Sequence, residues 1–286
     1  MTEVRQVNVE SPQSFLKEDN YSDVLPLQHD GIYATAWTAL YDNQTPVVIK
    51  RYQVPVNPTE SIADWIEYSQ DINRFSETTG ITASQNISTA NDDEYIYFTD
   101  KLAATQDVSK ILADTTVDLA ARYVLASDLL ASLISIPRDE HNQLAYMIDG
   151  KISNFCPSET GGFTYVDLFP AHTRQQDSRF LKPSPSHASG DRSLQLDSFI
   201  TGDAYGVTGR FVGMLARNHP DVYSVFKDEW LQAQQAGNEI PHDIQQYIGF
   251  LIEDNNRFMS MLYTHCKDTE SFSRLDTILN STLYTK

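Results

Sequence analysis

The chain has 286 residues, 41% of them apolar and 11% aromatic, with 39 acidic against 21 basic residues and a formal net charge of −18. That size and composition fit a globular protein with a full core and exclude a disordered chain. The acidity argues against nucleic acid and against an anionic membrane surface as partners, because both need clustered Lys and Arg.

Two cysteines, Cys156 and Cys266, form neither a disulfide framework nor a metal-binding spacing. No stretch approaches the ~18 apolar residues of a membrane helix. The first residues lack the apolar core of a signal peptide, so the expectation is a cytoplasmic protein.

Residues 1–22 are polar and are expected to be loose. Residues 31–40 are aromatic and β-branched and read as a strand. Asp42-Asn43-Gln44 is a turn signal, and residues 46–52 (Pro-Val-Val-Ile-Lys-Arg-Tyr) form a second strand. A helical pattern opens at Thr59-Glu60-Ser61, carries Ile62, Trp65, Ile66, Ile72 and Phe75 at helical spacing, and stops at Gly80. Residues 81–90 can hold a short strand, and residues 94–99 (Glu-Tyr-Ile-Tyr-Phe-Thr) are a convincing one.

After Asp100 the character changes. Residues 116–134 read as a long apolar helix ending before Pro137. Residues 171–196 are polar and irregular, with four basic residues and with His172 and His187. Helical patterns return over 203–217, 222–236, 244–263 and 269–283. The fold class expected is therefore α+β: a small β-rich N-terminal lobe over 1–100, with one helix, and a helical C-terminal lobe over 101–286.

Residues 141–170 stand between the two. Asp149, Asn154 and Asp167 are set among apolar residues, Asn154 five positions after Asp149 and Asp167 thirteen after Asn154. The pattern predicts a short strand, a loop from Asp149 to Asn154, a turn at Gly161-Gly162, and a second strand over 163–166 ending on Asp167. Such a hairpin brings two carboxylates and an amide to one end. Converging oxygens of this kind suit Mg²⁺ and a nucleotide polyphosphate. The bland alternatives are an ordinary Asp-Gly turn at Asp149 and a solvated lysine at the strand position Lys50. Neither a Walker A sequence nor a Gly-x-Ser-x-Gly elbow occurs, which leaves P-loop and serine-hydrolase chemistry without support. The seven histidines show no metal spacing, and Cys156 reads as a small buried hydrophobe.

The order of these parts resembles the protein-kinase-like superfamily, in particular its aminoglycoside phosphotransferase-type small-molecule kinases. The resemblance covers roughly residues 25–215. It is carried by Val-Val-Ile-Lys50, a helix glutamate, the 94–99 strand, the 116–134 helix, Asp149-Gly-Lys-Ile-Ser-Asn154 and Asp167-Leu-Phe. It implies a two-lobed fold that binds ATP and Mg²⁺. Lys50 would contact the nucleotide phosphates, held by Glu67; Glu60, near the helix N-terminus, is the other candidate. Asn154 and Asp167 would be the metal ligands. Asp149 would take or orient the proton of a substrate hydroxyl, and Lys151, placed as in Ser/Thr kinases, would stabilise the transferring phosphoryl group.

The sequence departs from the family at Met147, where a His or Tyr is usual, and at Leu168-Phe169 after Asp167. The nucleotide-covering segment has one glycine, Gly31, and no Ala-Pro-Glu follows. The resemblance implies an ATP- and Mg²⁺-dependent phosphotransferase acting on the hydroxyl of a small molecule, and the acidic surface points to a cationic one. The departures support the alternatives: a pseudokinase or interaction protein without turnover, or a kinase-like nucleotidyltransferase.

Overall fold

The computed structural model describes residues 21–27, 34–53, 58–91, 95–168, 200–233 and 241–253. The fold is α+β, an antiparallel sheet followed by a largely helical part. Contacts divide the chain into two compact units, residues 1–63 with 84–102, and residues 64–83 with 103–286.

The first unit is a five-stranded sheet. Its strands are β1 (Tyr21–Pro26), β2 (Ala34–Tyr41), β3 (Thr45–Gln53), β5 (Asn86–Asn91) and β6 (Tyr95–Lys101), in the order β1-β2-β3-β6-β5. All neighbours are antiparallel. The expected β2–β3 hairpin forms because Asp42 and Asn43 both adopt positive φ, 50° and 57°. These residue types tolerate the left-handed region. Trp37, Ala39, Val47 and Ile49 form the buried face, with Tyr21, Val24, Tyr41 and Ile87 against it. Strand β1 begins inside the 1–22 stretch expected to be loose, at Tyr21 and Ser22. Its Tyr21 hydroxyl bonds Ser88 Oγ and Thr99 Oγ1 at 3.0 and 2.9 Å, an anchor that a polar composition does not reveal.

Helix α1 (Pro58–Arg74) and the short α2 (Ser76–Thr79) fill the predicted helical stretch, and Gly80 closes it at φ 66°. Residues 81–91 hold two strands in two different sheets. β4 (Ile81–Ala83) belongs to a second, three-stranded sheet, where it pairs parallel with β8 (Phe163–Tyr165), which pairs antiparallel with β7 (Phe155–Pro157).

In the second unit the predicted 116–134 helix begins later. Asp118 caps α4 (Leu119–Ile134) by accepting from Ala120 N and Ala121 N, so the turn before it cannot be helical. Another helix, α3 (Val108–Ala113), is capped by Asp107 and was not anticipated. Next come α5 (Ala204–Asn218), α6 (Pro220–Ala233) and α7 (His242–Glu253), where helices were expected. α5 is buried on nearly every side, which makes it the central helix of this unit. The short strand expected before Asp149 is not one. Leu144 N and Ile148 N instead bond the carbonyls of Gly202 and Thr201, at 2.8 and 2.7 Å, tying this segment to the chain entering α5. The single-glycine segment at Gly31, the basic stretch 171–196 with His172 and His187, Phe169, Cys266 and the 269–283 pattern lie outside the described residues.

Candidate functional site

The hairpin of the second unit positions the site. Phe155 pairs with Tyr165 and Pro157 with Phe163, and the chain reverses through Gly161 and Gly162 at φ 91° and 74°. At the open end, Val166 N donates to Asn154 O at 2.9 Å. Asn154 therefore lies opposite Val166, and Asp167 is the next residue along. A 3-10 turn, Ile152–Asn154, leads into β7. Before it, Asp149 Oδ1 accepts from Lys151 N at 3.0 Å, an Asx-type turn. Tyr165 Oη accepts from Asp149 N at 3.1 Å. The hairpin thus brings Asp149, Lys151, Asn154 and Asp167 to one end.

Two glycines make this packing possible. At Gly150 a Cβ would meet the carbonyl oxygen of Val207, on α5, at 2.4 Å. At Gly162 a Cβ would meet Gly80 O at 2.2 Å. The loop at Asp149 therefore rests directly on the backbone of α5, and the hairpin turn rests on the end of α2.

The charge environment holds a residue that the sequence reading missed. Arg210 on α5 donates from Nη2 to Asp149 Oδ2 at 3.0 Å, and its Nε lies 2.5 Å from Oδ1 as an ionic contact out of line for a hydrogen bond. The Asp149 carboxylate is thus engaged on both oxygens. One signal could have pointed to Arg210: it is the only charged residue in the run from Ala204 to Leu215.

Two buried phenols, Tyr68 and Tyr165, adjoin the loop. Tyr68, on α1, donates to Met147 O. Burial pushes both phenols well above the usual tyrosine range, and the Asp167 and Asp149 carboxylates add to the rise. Both hydroxyls therefore keep their protons. Met147 and Leu168, the departures from the family pattern, are buried, Leu168 at 1% exposure.

Asn154 and Asp167 could hold a metal. Asn154 is 6% exposed, and its Nδ2 has no hydrogen-bond partner, so a buried amide keeps unspent polar capacity at the end of the hairpin. Its oxygen and the Asp167 carboxylate are hard donors of the kind Mg²⁺ takes. Among the described residues no group of three His, Cys, Asp or Glu is placed to hold a metal ion, so these two oxygen donors would need others from substrate or water.

In the first unit Lys50, on β3 opposite Ala36 and Phe98, lies with Nζ 3.5 Å from Asp100 Oδ2. Asp100 is 3% exposed and also accepts from Ser84 Oγ and Asn86 Nδ2, each at 3.2 Å. The sequence reading had Asp100 only as the end of a strand. Glu67 is an exposed residue of α1, in the part of that helix belonging to the second unit.

No family model matches this sequence, and no curated protein matches it. Among solved structures the chain is similar to the pseudokinase domain of BIR2, an immune regulator of the RLK/Pelle family. The identity is 12%, the match covers 98% of this chain and 89% of that one, and the TM-score is 0.46.

Proposed function

We propose that this protein binds Mg-ATP through Asn154 and Asp167 and transfers its terminal phosphoryl group to a hydroxyl of a small molecule. The observation that supports this most is the convergence of Asp149, Lys151, Asn154 and Asp167 on the open end of one hairpin. In this reading the acceptor hydroxyl oxygen bonds the γ-phosphorus, the bond from that phosphorus to the ADP oxygen breaks, and the hydroxyl proton passes to Asp149. Lys151 offers positive charge to the transferring group, and Lys50 is assigned to the nucleotide phosphates. Bound Mg²⁺ would supply charge neutralisation on the polyphosphate. Such catalysis is mostly positioning and electrostatics.

One observation favours a second reading. The Arg210 guanidinium occupies both oxygens of the Asp149 carboxylate, which leaves less capacity for a substrate proton. That fits a nucleotide-binding pseudokinase without turnover.

Two measurements separate the readings. A Mg²⁺-dependent rise in thermal midpoint with ATP, abolished in Asp167→Ala, supports nucleotide binding; its absence removes both readings. Release of inorganic phosphate from Mg-ATP, lowered in Asp149→Asn by about 10²–10⁴-fold, supports the enzyme. Binding without release supports the pseudokinase.

A further inference from the structure

The first unit holds a buried carboxylate, Asp100, that the phosphotransfer reading does not use. Strands β3 and β6 run antiparallel, with Lys50 opposite Phe98 and Val48 opposite Asp100. Side chains alternate between faces along a strand, so Lys50, Phe98 and Asp100 share one face of the sheet. Lys50 and Asp100 lie on the diagonal that long side chains span. Lys50 Nζ donates to Asp100 Oδ2 at 3.5 Å, with the lysine side chain 15% exposed and the carboxylate 4%.

Other residues aim the carboxylate. Asn86 pairs with Asp100 across β5 and β6, where the register shifts between Asn86 and Ser88. At that irregularity Asn86 Nδ2 donates to Asp100 Oδ1 at 3.2 Å, and to the carbonyls of Ser88 and Thr99 at 3.1 and 3.2 Å. Ser84 Oγ donates to Oδ2 at 3.2 Å. These donors orient Asp100 but are neutral. A buried carboxylate needs a cation to balance it, and the Lys50 ammonium supplies that charge. Lys50, Ser84, Asn86 and Asp100 all belong to the first unit.

We propose that Asp100 is a positioning residue for Lys50, an anchor within the sheet that aims the ammonium at the nucleotide phosphates. An ammonium carries three protons, so a bond to Asp100 is compatible with bonds to phosphate oxygens. Asp100 itself acts only through Lys50. The inference deepens the phosphotransfer reading and rests on it for the role of Lys50, but the anchoring contact does not depend on nucleotide.

The test uses Asp100→Asn in the full chain, because asparagine keeps the shape of the site. Its amide oxygen still accepts from Asn86 Nδ2, and its amide nitrogen donates to Ser84 Oγ, a hydroxyl that also accepts. The attraction for Lys50 is what is lost. With isotope-labelled lysine ζ-nitrogens, NMR follows exchange of the Lys50 ammonium protons with water, the signal being identified by its loss in Lys50→Arg. Calorimetry measures affinity for Mg-ATP. Asp100→Asn is expected to speed ammonium exchange by about tenfold and to weaken Mg-ATP by about tenfold, the loss of one hydrogen bond between charged groups. In a Lys50→Met background the same substitution is expected to change affinity by less than about twofold, because its effect passes through the lysine.

Unchanged ammonium exchange in Asp100→Asn overturns the proposal, as does equal weakening of Mg-ATP with and without Lys50. Exchange sped by Glu67→Gln and not by Asp100→Asn gives the anchoring role to the helix glutamate, and overturns it too. If the wild-type protein binds no Mg-ATP, the phosphotransfer reading fails and ammonium exchange alone decides whether Asp100 holds Lys50. If Asp100→Asn does not fold, Ser84→Ala, which loosens the oxygen that Lys50 meets, takes its place. Exchange about threefold faster is then expected, and unchanged exchange overturns the proposal.

Discussion

Gly150→Ala sets two opposing effects against each other, and the structure decides the sign. The φ of Gly150 is not positive, so alanine fits its backbone conformation. Lost freedom in the unfolded chain should then stabilise the variant by about 0.4–1 kcal/mol. Against this, the new methyl would lie 2.4 Å from Val207 O, with Val207 C and Cγ1 at 3.2 Å. Carbon and oxygen do not approach closer than about 3 Å, so loop or helix must retreat by about 0.6 Å. The obstacle is backbone of a buried helix and not the end of a mobile side chain. Overpacking of this kind costs about 1–3 kcal/mol, and the upper end applies here. The net destabilisation is about 2 kcal/mol, or about 4–8 °C for a protein of this size. Thermal unfolding followed by circular dichroism measures it. Gly161→Ala is the control: it has open space but φ 91°, so it tests backbone strain without a clash. A Gly150→Ala midpoint at or above wild type would refute the claim that the Asp149 loop rests on α5.

Other outcomes follow from groups described above. Asp100→Ala removes the buried acceptor of Ser84 Oγ and Asn86 Nδ2 and should destabilise by about 1–3 kcal/mol, seen as a lower denaturant midpoint. Asp203 caps α5 through Tyr205 N and Gly206 N, and burial raises its pKa to about 7. A raised carboxyl pKa means the folded state holds the proton longer, so stability falls as pH rises from about 4 to about 7 and then levels, by on the order of 4 kcal/mol in all. Asp203→Asn keeps a capping oxygen and should flatten that slope in unfolding measured across pH 4–7. In the opposite direction, Arg138 holds Asp243 at about 2, so that pair stabilises above about 4 and is lost as pH falls towards about 2. Asp243→Asn should shift acid unfolding towards higher pH, with a modest size because the carboxylate is part-exposed.

Much of the fold was legible where local chemistry and tertiary context agree. The β2–β3 hairpin announces itself through alternation and an Asp-Asn turn, and α5 through periodicity after a capping Asp203. The Gly161-Gly162 turn predicted the β7–β8 hairpin that the structure contains. What was illegible depends on distant partners. The run before Asp149 has the apolar character of a strand, yet its amides go to Gly202 and Thr201, some fifty residues later in the chain. The start of β1, Tyr21, looks loose because its anchors, Ser88 and Thr99, are far along the sequence. β4 and β5 read as one strand because nothing local says that Ile81–Ala83 and Asn86–Asn91 join different sheets. Arg210 and Tyr68 reach the site from helices, where a side chain's target cannot be read from its neighbours.

The parallel pairing of β4 with β8 has a consequence in time. Ile81 meets Phe163, 82 residues later. At ribosomal speeds of about 5–20 residues per second, β4 waits about 4–16 s for its partner to be made. During that interval Met147 and Phe163, the partners of Tyr68 and Ile81, are not yet made. The early sheet can close from residues 1–63 and 84–102 alone, so the nascent chain passes through a stage with one finished unit and an exposed apolar segment looped out of it. Such a stage invites chaperone binding, and the release of that chaperone should coincide with emergence of the Phe163–Tyr165 strand.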